Sequence, residues 1–511
     1  MHPRQFARTT PDAPAISLLD ETAHITASLT YAELEARANR YAHALRSLGL
    51  NRGDRFAIWK RNSLSFLPLY WAAQRAGLLI CPVATHLSYA ETDYIIRDSG
   101  SKLLITDGAV GQAAEVVSRL KDEAMLDGRI YWTDYPLDGA PDFDALTADY
   151  PDTPIHDESA GSQMLYSSGT TGRPKGVKVA LPDEAVEAPA PFVALVGALF
   201  KVTPQTRYLS PAPLYHAAPL AYCISVQRLG GHIFVMDKFR EETCLAAIER
   251  HAITFVQMVP TMFVRLLKQP ETLRTRYSLS SLDCVVHAAA PCPVHTKHAM
   301  IDWLGPIVQE YYAGSEGNGL TFISAQEWLR KPGSVGKAVF GTVHICDPET
   351  GEDLPPGETG TVYFEGQSNF EYHGDASKTQ RAYHAHHANR STLGDVGHID
   401  DDGYLFLTDR KANMIISGGV NIYPQETENV LLEHPSVLDA AVLGVPCEEM
   451  GERVKAFVQL MPGAKSDGLD GELIAFTRDR ISHVKAPREV QIVASLPRTE
   501  SGKLLKRVLL D

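Results

Sequence analysis

The stretch Tyr166-Ser167-Ser168-Gly169-Thr170-Thr171-Gly172-Arg173-Pro174-Lys175-Gly176 packs three glycines, four serine or threonine hydroxyls and two cations into one short segment. Glycine lets backbone N–H groups converge without a Cβ in the way, which makes a nest for an anion. The hydroxyls add donors for phosphate oxygens, and Lys175 adds a point charge for terminal phosphates. The spacing is not that of the Walker loop. Pro174 and Gly176 flank the lysine, so no helix starts there. Both flanks, Gln163-Met164-Leu165-Tyr166 and Val177-Lys178-Val179-Ala180, are strand-like. The segment reads as a mobile phosphate loop between two strands. A plain surface turn has no need of this ordered mixture of glycine, hydroxyl and cation.

Around this loop, helix and strand patterns alternate. Thr30-x-x-Glu33 is a capping box ahead of Leu34, Ala38, Tyr41, Ala42 and Leu45 at helical spacing. Arg55 to Trp59 reads as a buried strand, Leu64 to Gly77 as a helix, and Leu78 to Val83 as a strand. Ser88-x-x-Glu91 opens another helix, followed by a strand from Lys102 to Thr106. The same order recurs with a helix at Cys244 to His251, a strand at Thr254 to Val256, a helix at Thr261 to Lys268 and a strand at Cys284 to Val286. This alternation predicts an α/β fold of doubly wound parallel sheets. From about Lys331 to Asp409, glycine, proline and acidic residues become frequent among short strands such as Gly360 to Phe364, which predicts a β-rich, barrel-like subdomain. The remaining residues offer a helix (Pro424 to Glu433), strands (Leu438 to Leu443, Val454 to Leu460), a helix (Gly471 to Ile481) and a strand (Val490 to Ala494). They predict a small α+β domain. The expected division is 1–409, with 331–409 as the β-rich part, and 410–511.

The 511 residues carry 48 Lys and Arg against 62 Asp and Glu, a formal net charge of −14. A nucleic-acid partner would call for a basic face, so none is expected. Hydrophobic residues at 44% and charged residues at 22% are ordinary for a globular protein and argue against disorder. Seven scattered cysteines without a Cys-x-x-Cys pair suit buried thiols in a reducing compartment. Met1 to Gln5 lack the apolar stretch of a signal peptide. The most apolar run, Phe192 to Phe200, is much shorter than the roughly 18 residues a membrane span needs. A cytoplasmic enzyme with no integral membrane segment is expected, and a homodimer is compatible with the sequence.

The loop resembles the hallmark of the adenylate-forming superfamily, which includes acyl-CoA synthetases, peptide-synthetase adenylation domains and beetle luciferases. Further motifs follow in family order from about Thr30 to Lys503. Tyr312-Ala313-Gly314-Ser315-Glu316 is similar to Tyr-Gly-x-Thr-Glu, and Asp395 after Gly394 is similar to the Thr-Gly-Asp aspartate. Asp409-Arg410 resembles the hinge, and Pro497-Arg498-Thr499-Glu500-Ser501-Gly502-Lys503 resembles the C-terminal lysine motif. The resemblance implies two half-reactions. A carboxylic acid and ATP give an acyl-adenylate and pyrophosphate, and a thiol then displaces AMP. It also implies a mobile C-terminal domain.

The resemblance further implies roles for particular residues. Ser167, Ser168, Gly169, Thr170, Thr171, Gly172 and Lys175 hold the phosphates. Lys503 bridges carboxylate and phosphate, where two anions must meet. Taken without its motif it would be a solvated lysine beside Lys506 and Arg507. Glu316, joined by Thr170, binds Mg²⁺. Tyr312 stacks on adenine, Ala288, Ala289 and Ala290 present backbone to it, and Ser315 keeps the hydroxyl of the family's threonine. Asp395 accepts from the ribose hydroxyls and Arg410 lies near ribose and phosphates, although both also suit a surface ion pair. His216 lines the acyl and pantetheine tunnels or simply packs. Ser417, Gly418 and Gly419 border the coenzyme A channel or form a hairpin turn. Among these, Lys503, His216, Thr170 and Glu316 form the expected catalytic set. His384, His386 and His387 lack a nearby Cys or acidic pair and read as a solvated loop.

One departure from the family is Ala412, where relatives carry Asp or Lys as the pivot. It puts polar contacts at the hinge in question. No carrier domain is expected after Lys503, so the acceptor is expected to be diffusible coenzyme A. Tyr208 to Tyr222 contain no Asp or Glu to pair a substrate ammonium. Small and apolar residues at Ala217 to Ala221 and Val259 to Phe263 suit a bulky acyl, aryl or steroid-type acid. A luciferase-like adenylating oxidase and a non-catalytic nucleotide binder are the alternatives.

Overall fold

In the computed structural model the described residues are 2–123, 125–167, 174–366, 370–410, 413–417, 420–498 and 504–509. They fall into two compact units. The first comprises Met1–Met258, Lys268–Val286 and Asn369–Thr379. The second comprises Val259–Leu267, His287–Ser368 and Gln380–Asp511.

The first unit contains the expected parallel sheets. One has the order Ile130–Trp132, Leu104–Thr106, Arg55–Trp59, Leu79–Pro82, Ser162–Gln163, and every pair in it is parallel. Its first strand, Arg55–Trp59, lies at the centre, with later strands added on either side. The other has the order Phe255–Met258, Arg207–Ser210, His232–Met236, Pro14–Leu19, and is parallel throughout. Ile25–Thr30 then closes its edge antiparallel to Pro14–Leu19. The intervening helices start where their caps dictate. The Thr30 hydroxyl accepts from Glu33 N–H while the Glu33 carboxylate accepts from Thr30 N–H, and Ser88 and Glu91 repeat the arrangement. The Tyr31–Ser47 helix buries Leu34, Ala38, Tyr41, Ala42 and Leu45, the apolar positions at helical spacing. A third, antiparallel sheet orders Phe370–Tyr372, Lys175–Val179 and Leu165–Ser167. Ser162–Gln163 and Leu165–Ser167 thus belong to different sheets, with buried Met164 as the step between them.

The second unit contains an antiparallel sheet in the order Thr342–Cys346, Gly360–Glu365, Asp395–Ile399, Leu405–Arg410, Ser334–Phe340, Leu320–Ile323, Val308–Ala313. Ile345, Val362, Phe364 and Leu405 form its core, with Tyr312 packed against them. A further sheet orders Val420–Ile422, Ile415–Ser417, Gly451–Leu460 and Val437–Cys447, and Glu489–Val493 pairs parallel with Gly451–Leu460. The helices Pro424–Leu432 and Leu469–Arg478 bury Leu431, Leu469 and Leu473 in its core. Among the described residues no helix is long and apolar enough to cross a membrane.

Gly319 marks the tightest packing near the nucleotide motif: a Cβ there would lie 1.9 Å from Phe364 Cδ1. Gly319→Ala must displace a rigid core ring. It is expected to cost about 1–3 kcal/mol, read from urea unfolding.

Candidate active site

The strands on either side of the expected phosphate loop pair with each other. Leu165–Ser167 and Lys175–Val179 pair antiparallel, with Leu165 opposite Val177, Tyr166 opposite Gly176 and Ser167 opposite Lys175. The loop's two ends are therefore held side by side, and Lys175 stands at its base. Tyr166 fixes the hairpin from below, its hydroxyl donating to Asp98 Oδ2 at 2.7 Å. Burial and that carboxylate push the phenol pKa up. Ser168, Gly169, Thr170, Thr171 and Gly172 lie outside the described residues.

In the second unit three segments carry the residues expected to meet the nucleotide. The first turns sharply at Ala289, which holds a φ of +77° although it carries a Cβ. Side chains rarely accept that region, and such strain clusters where function needs an unusual backbone. Ala288 before it is buried, while Ala289 is exposed. The second segment is the end of Val308–Ala313. There the Tyr312 hydroxyl donates to Asp395 Oδ2 at 2.5 Å, and Asp395 is only 6% exposed. The third is the Asp395–Ile399 strand, in which Asp395 stands opposite Arg410 of Leu405–Arg410. Tyr312, Asp395 and the backbone of Arg410 are thus brought together. Ser315 is exposed and Glu316 half-buried in the turn after Tyr312. Gly314 allows that turn to close. A Cβ at Gly314 would sit 2.6 Å from Leu393 Cδ1 and 2.9 Å from Glu316 Oε2.

Behind these segments lies a buried group that the sequence reading missed. Lys297, fully buried, donates to Glu310 Oε2, and its ammonium lies 4.8 Å from the Trp328 ring centre. His287, also fully buried, has Nε2 at 3.5 Å from the same oxygen. Burial keeps His287 neutral, well below its usual pKa, with Lys297 adding to the effect. Burial also holds the Glu310 carboxyl above its usual range despite Lys297. Glu310 is two residues before Tyr312 and His287 directly precedes Ala288, so the Lys297–Glu310 pair lies beside both segments, although neither His287 ring nitrogen has a hydrogen-bond partner among the described residues. The residues are far apart in local pattern, one on a helix and two on different strands, and no motif announces them.

The C-terminal segment is anchored on both sides of the expected lysine. Arg498 makes a two-point ion pair with Asp439, at 2.5 and 2.7 Å. Leu504 bridges back to Arg498, and Leu505 N–H donates to the Pro497 carbonyl at 2.8 Å. Lys506 is not a solvated lysine: it pairs with buried Glu428 at 2.7 Å. Residues 499–503, including Lys503, lie outside the described residues, as do Lys411 and Ala412. Polar contacts exist at the hinge nonetheless. Asp409 accepts from Asn413 Nδ2 at 3.0 Å and from Gln425 N–H at 3.1 Å. Ser417 is buried and pairs with Val420, and Gly418 and Gly419 lie outside the described residues.

His216 precedes the Ala217–Arg228 helix without capping it. Its Nε2 is shut off from solvent and has no hydrogen-bond partner among the described residues. Burial lowers its pKa to about 4, with His86 contributing. His384 departs from the expected solvated loop. It is buried, its Nδ1 accepts from the N–H groups of His386 and His387, and its Nε2 donates to the Gly351 carbonyl. It is a turn pin. Only His386 and His387 are exposed.

Comparison with known proteins agrees with this geometry. The AMP-binding enzyme family model matches residues 3–372, and that of the AMP-binding enzyme C-terminal domain matches residues 426–503. The chain belongs to this family of adenylate-forming enzymes. A feruloyl-CoA synthase of Amycolatopsis sp is 33% identical over 99% of this chain and 96% of the relative. Crystalline ATP-bound MatB from Rhodopseudomonas palustris is 29% identical, with a TM-score of 0.84 over 100% of this chain and 98% of that one. o-Succinylbenzoate CoA synthetase (MenE) from Bacillus subtilis, in complex with the acyl-adenylate intermediate OSB-AMP, is 27% identical. Its TM-score is 0.80 over 100% of this chain and 97% of that one.

Two outcomes follow from the buried groups. Glu310→Ala strands the buried Lys297 cation and is expected to cost about 3–5 kcal/mol, measured by urea unfolding. His216 takes its proton at about 4 in the folded chain against 6.5 when unperturbed. Between those values the unfolded chain binds a proton that the folded chain refuses. Stability therefore falls as pH drops through this window, by about 1.4 kcal/mol per pH unit for one group. His216→Asn removes that contribution, and unfolding series from pH 7 to pH 4 should be flatter in the variant than in the parent.

Proposed function

We propose that the chain is an ATP-dependent acyl-CoA ligase for a bulky apolar or aryl carboxylic acid without an α-amino group. The observation that carries this reading is the hairpin that sets Ser167 beside Lys175 and closes the phosphate loop at its base. The absence of Asp and Glu from Tyr208 to Tyr222 supports an acid without an ammonium group.

In the first half-reaction a carboxylate oxygen attacks the α-phosphorus of ATP and the bond to the β-phosphate breaks, releasing pyrophosphate. Both reactants are anions, so cations and N–H donors must be in place before they approach. Lys175 and the glycine-freed amides of the loop hold the phosphates. Tyr312 and Asp395 hold the nucleoside end, the Asp395 carboxylate accepting from ribose hydroxyls. Lys503 bridges the carboxylate and the α-phosphate, delivered by a loop whose ends are fixed through Arg498 and Leu504. In the second half-reaction the coenzyme A sulfur attacks the acyl carbonyl and AMP leaves. The domain 410–511 turns about Arg410 between the two steps and brings Ser417, Gly418 and Gly419 to the thiol channel.

Among the described residues no group of three His, Cys, Asp or Glu is arranged to hold a metal. A magnesium ion suits this site because it needs only one or two protein carboxylates and takes its remaining ligands from phosphate and water. Glu316, with the Thr170 hydroxyl, would hold it, and the ion would supply positive charge against the phosphates. The seven free thiols fit a reducing cytoplasm.

AMP formation assayed with octanoic, benzoic, 4-hydroxy-3-methoxycinnamic and steroid side-chain acids tests the reading. Turnover that requires coenzyme A and consumes no oxygen supports a ligase. Oxygen uptake would favour a luciferase-like oxidase, and no turnover a nucleotide binder. Lys503→Ala should lower acid-dependent pyrophosphate exchange by at least a hundredfold while a supplied acyl-adenylate is still converted to thioester. Unchanged exchange would remove Lys503 from the first step.

A further inference from the structure

Asn62 takes no part in the reaction described above, yet its side chain is fully committed. It follows the Arg55–Trp59 strand, at the carboxyl end of the five-stranded parallel sheet, and is 5% exposed. Its amide reaches across to the second parallel sheet of the same unit. Nδ2 donates to the Met236 carbonyl at 2.8 Å and to the Ala212 carbonyl at 3.1 Å. Oδ1 accepts from Leu214 N–H at 2.8 Å. Met236 ends the His232–Met236 strand. Ala212 and Leu214 belong to the segment that leaves the Arg207–Ser210 strand and runs into His216.

That segment has little freedom of its own. Pro211 and Pro213 fix φ at two of its positions, and His216 N–H donates back to the Pro213 carbonyl at 3.2 Å. Asn62 thus holds the backbone on either side of Pro213, and Pro213 in turn holds the His216 N–H through its carbonyl. The side-chain chemistry is particular. An amide offers donors on one side and an acceptor on the other. Aspartate would turn an acceptor toward two carbonyls, and glutamine would overreach by a methylene. Ordinary packing between sheets is done by apolar side chains, and a buried polar one is retained where its bonds set a geometry.

We propose that Asn62 is a positioning residue for the acid substrate. It fixes Pro211 to Tyr215 against both sheets and thereby sets where the His216 ring, with its unpartnered Nε2, meets the acyl group. This rests on the reading of His216 as an acyl-pocket residue.

The test is a double-variant cycle on the full-length enzyme, using whichever acid of the panel turns over fastest. Asn62→Asp is expected to lower kcat/KM for the acid at least tenfold while the KM for ATP shifts less than twofold. Asn62→Ser, which keeps a hydroxyl, should show a smaller effect of the same kind and serves if the aspartate variant does not fold. His216→Ala should also impair the acid step. The double variant should be no more than about twofold worse than His216→Ala alone, because both changes remove one interaction. Multiplying losses, or ATP and acid parameters that deteriorate together, would overturn the proposal and leave Asn62 as packing. Impairment by His216→Ala with normal acid kinetics in both Asn62 variants would overturn it alone. Normal acid kinetics in His216→Ala would remove the pocket reading and this proposal with it.

Discussion

Two negatively charged reactants have to touch. At 4 Å a pair of unit charges repel by about 4 kcal/mol at an effective dielectric of 20, and a triphosphate carries several charges. An enzyme that joins a carboxylate to a phosphate must first build positive potential that does not rearrange when the reactants arrive. The architecture is intelligible from that requirement. The phosphate loop is closed at its base by strand pairing between Ser167 and Lys175. The loop that bears Lys503 is likewise pinned at both ends, by the Arg498–Asp439 and Lys506–Glu428 pairs. In both places the described flanks are fastened by bonds that use none of the donors expected to serve the phosphates.

The nucleoside end shows the complementary device. Asp395 is nearly buried and accepts from Tyr312, so its orientation is set by the fold itself. Glu310 on the Tyr312 strand pairs with Lys297 on the Val294–Leu304 helix, and neutral His287, next to Ala288 and the strained Ala289, packs beside that pair. A buried ion pair adds little net stability. Its value here is geometric, because it ties the Val294–Leu304 helix to the strand that ends in Tyr312.

Much of this was legible in the sequence, and the exceptions share a cause. Local signals read well: the capping boxes at Thr30 and Ser88 begin helices where expected, and the buried stripe from Leu34 to Leu45 faces the core. A third box, Ser324 with Glu327, carries the same pattern and starts the short Ala325–Arg330 helix. Strand character around the phosphate loop was clear, but not that Gln163 and Leu165 enter different sheets, because period says nothing of pairing. Ala412 puts polar contacts at the hinge in question, and Asp409 makes them with Asn413 and the Gln425 amide. Lys297, Glu310 and Asn62 were invisible. Their meaning lies in partners from other elements, often backbone groups that carry no residue identity at all.

In the proposed reaction the acid's own oxygen attacks the α-phosphorus. Turnover of the best acid labelled with ¹⁸O in its carboxyl group, followed by mass spectrometry of the products, measures this directly. The account predicts one labelled oxygen in AMP and one retained in the thioester. Unlabelled AMP, with the label found in inorganic phosphate or pyrophosphate, would contradict it.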